Sequence, residues 1–300
     1  MDFLTPIFAS LRKSICLLWV ILATAACERT FDIDLPAYTS QPVLYAMLEP
    51  GQTPLVALHQ SQAIADTTDF AALDDATVTL TVPGLAPQTY RSLGDGLYEP
   101  LAGWTPQTGD LVSIVATIPG GPVLSVEPVS IPAPAAIISA NFTDSALTTA
   151  NGGESDGLLE IVVRDPAAQA NYYQVRIMGV KDSLLEPVTS LPLSGVGLEG
   201  TTCSFNGTFF DDRCHDGQEW TWRWRVTPRF YDVDTRTRVP FDRLEVSVAA
   251  ISESWYRFLE SSTNQSENAF FLPGRPVYSN VAQGLGVVGA RTDSVLVFPL

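Results

Sequence analysis

"EWTWRWRVTPRFYDV", residues 219–233, places a tryptophan at every second position from 220 to 224. A strand turns successive side chains to opposite faces, so Trp220, Trp222, Trp224 and Val226 share one face and Thr221, Arg223 and Arg225 the other. Such a row of indoles has two uses. It can fill a core, since aromatic rings dominate apolar burial, or it can stand exposed as a stacking platform for sugars and other flat ligands. Trp220, Trp222 and Trp224 are therefore the candidate ligand platform, with core packing as the competing reading.

The same period of two runs outward in both directions. Upstream lie "PVLYAML" (42–48), "LVALHQS" (55–61), "ATVTLTV" (76–82), "QTYRSL" (88–93) and "LVSIVAT" (111–117), rich in β-branched residues. Glu49-Pro50-Gly51 and Gly94-Asp95-Gly96 punctuate them as turns. Past the proline-rich hinge "IPAPAA" (131–136) come "AIISANFT" (136–143), "LLEIVVR" (158–164), "NYYQVRIMGV" (171–180), "DRLEVSVAAI" (242–251) and "DSVLVFPL" (293–300). Only "SESWYRFLESSTNQ" (252–265) has helical spacing, with Trp255, Phe258, Leu259 and Ser262 on one stripe. The expectation is an all-β chain of two β-sandwich domains. Residues 42–132 form an immunoglobulin- or transthyretin-like unit, and 133–300 a larger sandwich carrying one short helix.

The N-terminus reads differently. Arg12 and Lys13 precede an apolar run from Ile15 to Ala23, and small residues lead to Cys27. That order describes a secretory signal peptide over residues 1–26. The run falls short of the roughly 20 residues that cross a bilayer. A cysteine directly after the small residues resembles the lipobox of bacterial lipoproteins, although Thr24 stands where that motif has a larger aliphatic residue. The resemblance implies that Cys27 is acylated and that the chain is held at a membrane by more than one acyl chain, since one holds only marginally. Residues 27–41 would then be a tether reaching roughly 45–50 Å.

Charge and cysteines narrow the classes further. The chain has a net charge of −16 and, after residue 26, a single lysine, Lys181. Phosphate backbones would be repelled, so nucleic acid is not an expected partner. With Cys16 in the signal and Cys27 at the membrane, Cys203 and Cys214 remain. In an exported chain a disulfide is their simplest fate, worth about 3 kcal/mol by loop entropy. Free thiols or a metal site are the rivals, but with only His215 nearby the four ligands of a structural zinc are not in sight.

Motifs for chemistry are scarce. "GLGVVG" (284–289) spells a dinucleotide fingerprint, yet the residues after it read as turn and strand where a helix is required. Those glycines fit a close backbone path beside a neighbouring sheet instead. "DDRCHDG" (211–217) gathers Asp211, Asp212, His215 and Asp216, oxygen ligands suited to calcium but without EF-hand spacing, so a solvated acidic loop is the plainer reading. His59 and His215 are the only histidines, which leaves a hydrolytic triad little material. No catalytic residue, metal ligand or cofactor is expected.

Several segments coincide in order with one family. "CERTFDIDLP", "DATVTLTVPG", "GDGLYEP", "GDLVSIVAT", "DPAAQANYYQVRI", "VSVAAISESWYRFLESSTNQ" and, most specifically, "PVYSNVAQGLGV" (276–287) resemble the Bacteroidota lipoproteins classed as domain of unknown function 4249. The resemblance implies an outer-membrane lipoprotein, facing the cell surface or the periplasm, often encoded beside a TonB-dependent transporter. It assigns no catalytic residue. The expected function is thus a non-enzymatic accessory or ligand-capturing partner of such a transporter. A surface structural or adhesive module is the alternative, and a carbohydrate-active hydrolase working through paired carboxylates a more distant one.

Overall fold

Alternation of buried and exposed side chains sets nearly every element. The computed structural model of the chain describes residues 38–63, 66–148, 155–193, 208–263 and 276–300. The expected signal segment, Cys27, most of the expected tether and Cys203 lie outside the described residues. The first strands are β1 (Pro42–Leu48), β2 (Val56–Gln60), β3 (Thr77–Thr81), β4 (Gln88–Gly94), β5 (Leu97–Pro100), β6 (Leu111–Thr117), β7 (Val123–Val126) and β8 (Val129–Ser130). Then follow β9 (Ala136–Thr148), β10 (Ser155–Arg164), β11 (Tyr172–Lys181), β12 (Leu184–Pro187), β13 (Ser190–Pro192), β14 (Phe209–Asp211) and β15 (Glu219–Val226). β16 (Arg229–Asp232), β17 (Thr237–Pro240), β18 (Arg243–Ile251), a helix α1 (Glu253–Thr263), β19 (Val281–Ala282) and β20 (Leu285–Pro299) complete them. The fold is an all-β sandwich architecture, and among the described residues no helix is long and apolar enough to cross a membrane.

Two cores result. The first is filled by the inward faces of β1, β2, β3 and β6, with Leu44, Leu58, Leu80 and Ile114 fully buried. The second lies between the sheet β13-β15-β10-β9 and the sheet β12-β11-β18-β20. The boundary expected at 132/133 falls between β8 and β9, but it does not separate two contiguous domains. β19 pairs with β7, and Leu285–Ala290 of β20 pair in parallel with Val43–Leu48 of β1. Val281, Val288 and Ala290 accordingly sit in the first core. From Arg291 onward the same strand pairs antiparallel with β18. β20 is thus one strand shared by two sandwiches, and Ser40–Leu300 form a single unit.

Glycine is required where β20 crosses. Gly286 takes φ +115°, a region closed to most side chains, and a Cβ on it would lie 2.0 Å from the Leu44 carbonyl oxygen. At Gly284 the Cβ would sit 2.7 Å from the Pro42 oxygen, and at Gly289 2.9 Å from the Trp255 Cβ. The fingerprint-like "GLGVVG" is therefore a close-approach strand, and a helix does not follow it.

Candidate functional site

The tryptophan row belongs to the second core. Trp220, Trp222 and Trp224 are 7%, 0% and 1% exposed, so they are no platform for a ligand, and the platform reading is corrected. The register explains why. In the β10–β15 ladder Val163, Ile161 and Leu159 stand opposite Trp220, Trp222 and Trp224, and β11 and β14 cap the indoles from the facing sheet. Phe210 meets Trp222 edge-on at 4.5 Å between centroids, and Tyr173 does so at 5.7 Å. The indole N–H groups of Trp220 and Trp222 are buried without an acceptor among the described residues. On the outer face of the ladder, Arg223 pairs with its register partner Glu160 at 2.8 Å, and Arg164 pairs with Glu219. Exposed pairs of this kind contribute about 0.2–1 kcal/mol each.

A cleft of about 740 Å³ lies where the two sandwiches adjoin. Ligand sites favour such junctions and commonly span about 300–1,000 Å³. Its walls come from the hinge around Pro132 and Pro134, the loop Pro166–Tyr173, the start of α1, and Tyr278 with Asn280. Three of the segments that carry the family resemblance converge here. Most of their polar groups, however, are spent on the fold. Asn280 grips the Val288 backbone twice, its Nδ2 donating to the carbonyl and its Oδ1 accepting from the amide, both at 2.9 Å. Ser254 donates to the Val288 carbonyl at 2.8 Å, while Ser252 accepts from the Ala290 amide at 2.9 Å and caps α1 by accepting from the Trp255 amide. The one cation of the lining, Arg257, is held by Glu253 at 2.6 Å and lies 5.8 Å over the Tyr278 ring.

Behind the Pro166–Tyr173 wall, Asp165, Asp212 and Asp216 bring carboxylate oxygens within 4.8 Å of one another. Asp165 accepts from the Tyr173 hydroxyl at 2.7 Å and from the Gly217 amide at 3.1 Å. Asp212 accepts from the Asn171 amide and side chain, and Asp216 from the Ala168 amide. Burial pushes the Asp212 carboxyl above its ordinary range, with the charge of Asp165 adding to it and the Asn171 hydrogen bonds opposing. Burial likewise holds His215 below the usual imidazole range, its ring stacked on Trp220 at 4.3 Å. Of the expected loop cluster, Asp212 and Asp216 come together but Asp211 does not. Asp211 instead pairs with Arg213 at 2.7 Å and accepts from the Tyr256 hydroxyl at 3.2 Å. Sequence reading missed Asp165 because it lies some 50 positions upstream, and only the pairing of neighbouring strands brings it in. All-oxygen ligands suit a hard cation, yet these oxygens already serve as acceptors that tie two loops together.

Cys214 lies in the turn beside this group, while its expected partner Cys203 is outside the described residues. His59, on β2, places Nε2 3.0 Å from the Asp95 carbonyl oxygen, a bond that staples the turn between β4 and β5.

Among known families the chain matches the one described as domain of unknown function (DUF4249), over residues 28–295. No curated protein matches the chain.

Proposed function

The chain belongs to the DUF4249 family, and on that premise we propose that it is a lipid-anchored outer-membrane protein serving a TonB-dependent transporter as a non-enzymatic accessory partner. One observation carries the reading. The family span opens at Glu28, the residue directly after Cys27, so everything upstream of the lipobox-like cysteine stands outside the shared unit. A family unit that starts at that border supports cleavage and acylation at Cys27. The acidic residues Glu28, Asp32 and Asp34 that follow are compatible with display at the cell surface.

Within this reading the partner is engaged through protein contact. Ligand capture rested on an exposed tryptophan row, and that row is buried. An enzymatic role draws no support from the acidic group, whose oxygens are occupied internally.

Two measurements test the proposal. Cys27→Ser should shift the chain from the membrane fraction to soluble or unprocessed material; a fully processed Cys27→Ser chain that stays in the membrane overturns the anchor. Native chain extracted in mild detergent should bring down a TonB-dependent transporter, identified by mass. Recovery of the chain alone overturns the partnership.

A further inference from the structure

We draw no further inference here: the strongest candidate, the cleft between the two sandwiches walled by Pro132, Tyr172, Arg257 and Tyr278, belongs to the site already described, and nothing in the structure shows what fills it.

Discussion

Asp212 shows how a residue that reads as loop decoration becomes part of the fold. It is 3% exposed, sits beside Asp165 and holds the Asn171 amide at 2.7 Å. Because burial raises its carboxyl above the ordinary 3.8, the folded chain binds this proton more tightly than the unfolded chain does. Ionisation therefore costs stability at every pH above the folded value, and the cost disappears once pH falls below 3.8. Asp212→Asn keeps an acceptor for Asn171 and removes the charge. It should melt higher than the native chain at pH 7, with the gap closing on acidification toward pH 4. A variant that melts lower at pH 7, or a gap independent of pH, would show that the charge itself is stabilising there.

At the scale of elements, α1 is too short to persist alone and is held by its contacts. The stripe expected from spacing was Trp255, Phe258, Leu259 and Ser262, yet the deepest residues are Ser254 and Tyr256. Trp255 and Phe258 stack on each other at 5.2 Å and stay half-buried, with Tyr45 edge-on to Trp255 at 6.1 Å. Tyr256 packs on Tyr172 at 4.8 Å and on Phe209 at 5.8 Å. Tyr256→Ala should thus cost about 3 kcal/mol or more in urea unfolding, and Trp255→Ala distinctly less. The reverse order would mean that the half-buried stripe is the true anchor. In the neighbouring turn we expect Cys214 to be joined to Cys203. Two thiol labels taken up by the unreduced native chain would exclude that bond, whereas reduction should leave both sandwiches folded.

For the whole molecule the decisive feature is one strand with two memberships. Where β20 passes from the first sandwich to the second, Arg291 is 8% exposed, pairs with Asp293 and reaches Glu49 at 3.5 Å. Asn280, Ser252 and Ser254 fasten the backbone of Val288–Ala290 just before it. A disturbance there should reach both cores. Gly286→Ala forces a Cβ onto the Leu44 carbonyl at a positive φ, and should cost about 2–4 kcal/mol. Amide exchange should show β3 and β10 loosening together, although neither touches the substitution. Loosening confined to the first sandwich would mean that the two halves unfold independently.

Period-two alternation was enough to predict β1, β6 and β18 nearly to the residue, because one face of each strand must be apolar and the other wet; the strand expected over 219–233 instead ends at Val226 and resumes as β16. The glycines of "GLGVVG" were legible as a close-approach path for the same local reason. Short strands such as β5, β12 and β14 were not, since three or four residues carry too little pattern. The sequence by itself determined the all-β class and the family. Only the tertiary structure decided that the indoles face a second sheet, that Asp165 joins Asp212 and Asp216, and that the last strand serves both sandwiches. Alternation states which residues share a face. What covers that face depends on pairings across up to some 240 positions of chain, as between β1 and β20, and no local spacing encodes them.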